Sequence, residues 1–401
     1  MNLAYVSPLP PLRSGIADYA AALLPHLRPH VARLTVVTDG YVPHLPAGLA
    51  DAWCGVDGEA WGRDSLPLYH MGSHLQYHRA VYRALCRHPG VVILHDGNLL
   101  PFIHELTLSA GNRAGFLRQV GLESGAAGIA DAWTAIQAGT PLSLERHALL
   151  SRVARASLGV VVHSRCLQER LRATAPQARV AVLPHLDLAP PGAALSSRSQ
   201  YRAELGLDSS SLIVGLFGYI APVKRLEPLL AAFARLRTAF PHARLLCVGQ
   251  VVDGYDLAAV DELGLQDVVR VTGYVPQERF LRYLSAVDVG VNLRYPTWGE
   301  ASGALLRLMA CGVPTLVTDA GAFSELPDDV VLKVPIGPDE VAAIEVALRA
   351  LLGDAGRRSQ IGRAARDFVA ANCSPPEIGR RLVGFLHAAI AGEEETCTSF
   401  T

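Results

Sequence analysis

The chain's 401 residues exceed the usual size of one domain, so two are expected. Half are hydrophobic and only 18% charged, enough apolar material for large buried cores. Lys plus Arg (36) nearly balance Asp plus Glu (37), which excludes the basic surplus of a nucleic-acid binder and a strongly anionic surface. Seven cysteines with no Cys-x-x-Cys pair read as reduced thiols. No apolar run approaches the ~18 residues of a spanning helix, so neither signal peptide nor anchor is expected and the chain reads as cytoplasmic.

In chain order, Asn2–Val6 is a short strand that runs into SPLPPLRSGIADYAAALL, a Pro- and Gly-containing loop before a helix from about Ile16. Strand, glycine loop and helix in succession is the layout of a phosphate-binding site, although no Gly-x-Gly-x-x-Gly is present. Gly15 is therefore a candidate for lying over a phosphate, or a glycine that a tight turn requires. A strand at Leu34–Thr38 precedes a Gly/Pro-rich region with Trp53 and Trp61, and Pro67–His70 reads as a buried strand. The next strand, Val91–Leu94, ends in His95 and Asp96. Polar residues at a strand's carboxyl end stand where α/β sheets bind ligands. The His95 imidazole could donate to a sugar hydroxyl or phosphate, or be bonded to backbone as a structural histidine.

From Phe102 to Gly159 the chain reads as mostly helical, the segment SLERHALLSRVARASLG included. Arg146, Arg152 and Arg155 would mark either a basic face toward an anionic acceptor or lipid headgroup, hence peripheral contact with the inner face of a membrane, or a solvated face. Val160–Val162 with His163 and Ser164 is a strand ending in polar residues, followed by a helix from Arg165 to about Thr174. Val180–Leu183 closes the first domain, and the aperiodic run PHLDLAPPGAALSSRSQ is the best linker, with the boundary near Pro190.

The second domain opens with the helix YRAELGL and the strand Leu212–Phe217, after which Gly218 turns the chain out. Lys224 and Arg225 begin a helix whose apolar residues Leu226, Leu229, Leu230, Phe233 and Leu236 keep helical spacing. Two cations at a helix start oppose its dipole, so they are phosphate candidates. Strands at Leu245–Gly249 and Val268–Thr272 follow, then Val287–Asn292, a Pro-containing loop, a helix opened by Glu300 and ending at Cys311-Gly312, and the strand Val313–Thr318. Helices run on to the end, and the tail GEEETCTSFT reads as disordered. The amides of Ser302, Gly303 and Ala304 have no intrahelical acceptors, and such a helix end attracts phosphate. Glu300 beside them would either cap its own helix or reach a neutral, hydroxyl-rich part of a ligand. A sugar joined to a diphosphate offers both chemistries.

The stretch GEASGALLRLMACGVPTLVTDAGAFSELP resembles the signature of retaining nucleotide-sugar glycosyltransferases of the two-domain GT-B type (family 4 glycosyltransferases, group 1). Glu300 and Gly303 match its first part, Met309 to Pro314 its middle, and Gly321 and Glu325 its last. The resemblance implies an α/β fold of two Rossmann-like parallel-sheet domains facing across a cleft. Residues 1–189 would form the acceptor-side domain, 190–375 the donor domain, and 376–401 a helix crossing back to the first domain plus the tail.

The resemblance also implies roles. Glu300 would contact the donor sugar hydroxyls, His95 would face the sugar near the reacting bond, and Gly15 would lie over the diphosphate. Lys224 matches the family's diphosphate lysine, while Tyr219, after Gly218, stands at its arginine position, so Arg225 or Arg294 would supply that charge. Gly273, Tyr274 and Val275 fall where the family's loop neighbours the nucleotide base. Arg307 occupies the place of the glutamate that binds the ribose, in a segment one residue short, and an arginine cannot accept a hydrogen bond from ribose hydroxyls.

The expected function is transfer of a sugar from a nucleotide-diphosphate sugar to a hydroxyl of a glycan, lipid-linked or small-molecule acceptor. No cofactor is implied. No Asp-x-Asp triplet or His/Cys cluster at ligand spacing occurs, so no metal is expected. The alternatives are a nucleotide-sugar epimerase or phosphorylase on the same plan, and a non-catalytic nucleotide-sugar-binding partner, suggested by the Tyr219 and Arg307 replacements.

Overall fold

The computed structural model describes residues 1–189 and 198–392. The chain separates into two compact units: Met1–Leu186 with Trp298–Ala301 and the segment from Pro375, and Asp187–Thr297 with Ser302–Ser374. The expected boundary at Pro190 and the polar tail lie outside the described residues.

In the first unit, strands β1 (Asn2–Val6), β2 (Arg33–Thr38), β3 (Ala52–Gly55), β4 (Leu66–Met71), β5 (Val91–Leu94), β6 (Gly159–Val162) and β7 (Val180–Val182) form one sheet in the order β3-β2-β1-β4-β5-β6-β7. Every pairing is parallel. Helices α1 (Gly15–Leu27), α2 (Leu75–Arg87), α3 (Leu100–Leu106), α4 (Arg113–Ala138), α5 (Ser151–Ala156) and α6 (Arg165–Thr174) connect them. Continuous apolar runs such as Val91–Leu94, buried at every position, are what a sheet covered on both faces requires. Ser14 and Ser164 start α1 and α6 by accepting the amides of Ile16 and Leu167.

The predicted helix across residues 143–159 is shorter than its sequence pattern. Only α5 forms, because the carboxylate of Glu123 on α4 accepts the amides of Leu149, Leu150 and Ser151 at 2.7, 2.6 and 3.0 Å. A side chain 26 residues upstream thus sets where α5 begins.

In the second unit, helices α7 (Arg198–Glu204), α8 (Leu226–Leu236), α9 (Ala258–Glu262), α10 (Gln277–Ala286), α11 (Gly303–Ala310), α12 (Glu340–Gly353) and α13 (Ala355–Asn372) surround a second sheet. Its strands are β8 (Leu212–Phe217), β9 (Ala243–Val248), β10 (Val269–Val271), β11 (Val289–Asn292), β12 (Thr315–Thr318) and β13 (Leu332–Val334), in the order β10-β9-β8-β11-β12-β13, again all parallel. Strand β13 lies where the sequence reading has helices running to the end. Three edge residues packed beside β12 are too short a run to show a period. On β8, Val214 and Leu216 join the cluster of Phe233 and Leu348, whereas Ile213 and Phe217 join that of Tyr283 and Leu284. This is the alternation of a strand buried on both sides.

The last helix, α14 (Pro375–Ala391), belongs to the first unit and packs on α1, with Gly379 against the His26 backbone. Among the described residues no helix is long and apolar enough to cross a membrane.

An ion pair anchors α7. Arg202, 6% exposed, donates to Asp288 Oδ2 at 2.5 Å and to the carbonyls of Ala286, Ser209 and Ser211, and Asp288 also accepts the Ile213 amide at 2.7 Å. Removing one partner strands a buried charge. The variant Asp288→Ala should lower stability by about 3–5 kcal/mol in urea unfolding, whereas Arg282→Ala, which breaks exposed pairs with Glu204 and Glu278, should leave the unfolding midpoint nearly unchanged.

Candidate functional site

In the second unit the carboxyl ends of adjacent strands β8 and β11 gather most of the predicted donor residues. After β8 the chain turns at Gly218 (φ 95°) into a short 3-10 turn, Pro222–Lys224, and Arg225 takes a left-handed conformation (φ 56°) before α8. Lys224 is buried, 6% exposed, and its Nζ donates to the Phe217 carbonyl at 3.4 Å. The Tyr295 amide donates to the Val223 carbonyl at 2.9 Å, which ties the loop after β11 to the Lys224 turn. The Arg294 amide donates to Thr318 Oγ1 at 2.9 Å. Lys224, Arg294 and the start of α11 therefore share one edge of this sheet. Tyr219 and Tyr274 are more than half exposed, after β8 and β10 respectively, and Val275 packs against the Phe217 cluster.

Helix α11 begins three residues later than predicted. Glu300 does not open it; Ser302 is its N-cap, with Oγ accepting the Leu305 amide at 3.3 Å and donating to Asn292 Oδ1 at 2.8 Å. Serine is a better cap than glutamate because its hydroxyl reaches back to the first turn from extended backbone. The amides of Gly303 and Ala304 remain at the N-terminal end with no intrahelical acceptor.

Two of the predicted site residues lie near protein carboxylates. Arg225 grips the carboxylate of Glu340, at the start of α12, through Nε (3.0 Å) and Nη2. Two of its N–H groups thereby form a fork on a carboxylate. Arg307 is 7% exposed on α11; burial raises the Asp187 carboxyl pKa, and the Ala189 amide and then the nearby Arg307 charge offset part of that rise. An arginine beside a protein carboxylate explains its tolerance within a buried helix face.

Glu300 itself, 8% exposed, belongs to the Trp298–Ala301 loop of the first unit, where its Oε2 accepts the Trp298 amide at 2.7 Å. That loop is held tightly. Ser164 Oγ donates to the Gly299 carbonyl at 2.6 Å, and the Arg170 guanidinium lies 4.8 Å from the centre of the Trp298 ring. A Cβ on Gly97 would fall 1.9 Å from the Trp298 carbonyl oxygen, and Gly299 has φ 92°, so glycine is required at both. The helix-capping alternative for Glu300 thus gives way to a loop-capping carboxylate.

Gly15 is the first residue of α1, and a Cβ there would meet nothing within 4 Å. No positive φ is required of it, so the tight-turn explanation falls away and open space lies over the helix start.

His95 stands at the end of β5 within a histidine cluster that the sequence reading did not assemble. His70 near the end of β4, His95 after β5, His163 after β6 and His185 after β7 surround the buried Tyr19 ring at centroid distances of 5.7, 4.9, 5.3 and 4.7 Å. His95 Nε2 is 3.1 Å from His70 Nδ1, and His95 Nδ1 is 3.3 Å from His163 Nε2. Both His95 nitrogens thus face other imidazoles, not an open ligand position. The signal was present: four successive strands each carry a histidine at the carboxyl end. Among the described residues no three His, Cys, Asp or Glu groups converge as a metal cage would need.

Burial drives the His70 pKa down to about 3, and those of His78 and His163 to about 4; neighbouring histidines add to the effect on His70, while the His74 and Leu183 carbonyls oppose it on His78 and His163. His95 is likewise lowered, by burial first and then by its neighbours. The unfolded chain protonates His70, His78 and His163 near pH 6.5 and the folded chain only near 3–4, so stability falls as pH drops through that window. Each fully buried imidazole should contribute a slope of about 1.4 kcal/mol per pH unit. In urea unfolding between pH 7 and 4.5, His78→Gln should flatten the curve by about that amount relative to the parent; an unchanged slope would contradict a neutral buried His78.

Residues 211–354 match the family described as Glycosyl transferases group 1. The D-inositol 3-phosphate glycosyltransferases of Nocardia farcinica and Segniliparus rotundus are 33% and 30% identical to the chain over 196 and 191 residues, in each case 45% of this chain and 42% of the relative. The match thus spans less than half the length of these relatives. Sucrose-phosphate synthase from Thermosynechococcus elongatus has a similar structure, with TM-score 0.70 at 17% identity over 98% of this chain and all of that one. The Anabaena HepE protein, solved with UDP and glucose, gives 0.65 at 16% over 97% and 100%. Residues 211–354 therefore form a group 1 glycosyl transferase domain, within a chain that has the GT-B glycosyltransferase fold of two parallel-sheet α/β units.

Proposed function

We propose that the protein is a glycosyltransferase that moves a sugar from a nucleotide-diphosphate sugar to a hydroxyl of a glycan, lipid-linked or small-molecule acceptor. The observation that carries this reading is the shared edge in the second unit: buried Lys224, Arg294 and the open amides of α11 sit at the ends of β8 and β11, inside the stretch that matches the glycosyl transferase family. An ammonium and a helix N-terminus together suit a diphosphate.

As the bond from the sugar's C1 to the phosphate oxygen lengthens, negative charge builds on the leaving diphosphate. Lys224 and the α11 amides stabilise that charge, in a site where they need not reorient. The acceptor hydroxyl forms the new bond to C1, and its proton leaves with the departing phosphate. The reaction is read as retaining, with the diphosphate neutralised by protein groups rather than by a metal. Glu300, two residues before the Ser302 cap, supplies the carboxylate for sugar hydroxyls. UDP is the first nucleotide to test, since HepE was solved with it.

A thermal-shift screen of nucleotide sugars, followed by assay of the hits for transfer and hydrolysis, tests the proposal. Stabilisation by a nucleotide sugar with sugar transfer or release is expected. Free epimer as product would point to the epimerase alternative, and no binding across the panel to a non-catalytic protein. With the donor in hand, Lys224→Ala and Glu300→Gln should each lower turnover by about 10²–10³-fold with little change in the urea midpoint. Unchanged rates in both would overturn the site assignment.

A further inference from the structure

The imidazole chain at the edge of the first sheet has only one consistent arrangement of protons. His163 Nδ1 lies 3.0 Å from the Leu183 carbonyl oxygen, which can only accept, so His163 carries its proton on Nδ1. A neutral imidazole has one N–H, and His163 Nε2 is therefore a bare acceptor. It faces His95 Nδ1 at 3.3 Å, so the His95 proton is also on Nδ1. His95 Nε2 is then bare and faces His70 Nδ1 at 3.1 Å, which places the His70 proton on Nδ1 in turn. The chain ends at His70 Nε2, buried and without a hydrogen-bond partner among the described residues. One backbone carbonyl thus dictates the tautomer of three rings on three adjacent strands.

We propose that His163 and His70 are positioning residues for His95, transmitting the polarity of the Leu183 carbonyl so that His95 is held neutral, with its proton on Nδ1 and both nitrogens engaged. Tyr19 packs against all three rings and fixes their planes, and His185, bonded to the Leu186 carbonyl at 2.8 Å, packs against both Tyr19 and His163. A second proton on His95 or His163 would set N–H against N–H at a junction, and one on His70 would enter at the buried, unpartnered Nε2, where burial opposes the charge.

The tautomers can be read directly by long-range 1H–15N correlation spectra of the full chain labelled at histidine nitrogen, each ring being assigned from the variant that lacks it. In the parent protein at pH 7, His70, His95 and His163 should all carry the proton on Nδ1. His163→Phe keeps the ring volume but removes the polarity, so the preference for Nδ1 should be lost and the Nε2–H form should appear on both His95 and His70. His163→Gln loses the ring but keeps one donor for Leu183 and one acceptor for His95, and should retain the parental pattern on His95 and His70. Tautomers that follow volume rather than polarity, or a parental His95 protonated on Nε2, would overturn the proposal. The parent and Gln spectra decide the matter even where the Phe variant does not fold. No donor is present in these measurements, so failure of the glycosyl-transfer reading leaves their outcome intact.

Discussion

In an all-parallel sheet every strand delivers its carboxyl end to the same edge, and the connecting helices carry the chain back each time. Residues far apart in sequence are thereby placed side by side if each follows a strand. In the first unit this rule collects His70, His95, His163 and His185 around Tyr19. In the second it collects Lys224, Arg294 and the Ser302 cap at the ends of β8 and β11. The apolar runs that make the strands also bury the residues just beyond them, and so the imidazoles lose their basicity and the lysine loses most of its exposure.

The cations divide by chemistry. Arginine's planar fork matches a carboxylate, and Arg202 and Arg225 pair with Asp288 and Glu340, which ties α7 and α12 to the rest of the unit. Lysine's compact ammonium has no such geometry to match, and Lys224 sits at a strand-end edge against a carbonyl. The sequence shows two adjacent cations before a helix and offers no means of separating them. Their roles diverge because Arg225 adopts a left-handed backbone that turns its side chain toward α12, a helix 115 residues further on.

The Trp298–Ala301 loop shows how a family signature can be legible while its local structure is not. Glu300 looked like a helix start because an acidic residue preceded an apolar periodic run. Ser302 wins that position, and Glu300 turns back to the Trp298 amide within a loop that Ser164, Arg170 and Gly97 hold. Those contacts span more than 100 residues, and nothing in the local pattern announces them.

By itself the sequence determined the two α/β units, most strand positions, and the pairing of a lysine with a helix end in the second unit, because these follow from hydrophobic period, β-branched runs and capping residues that act within a few positions. Strand β13, the late start of α5 and the histidine chain were decided only by the tertiary structure. Each depends on a partner brought close by folding: β12 for β13, the Glu123 carboxylate for α5, and the Leu183 carbonyl for His163 and the rings behind it. A hydrogen bond has no signature in sequence until the fold has chosen which donor meets which acceptor.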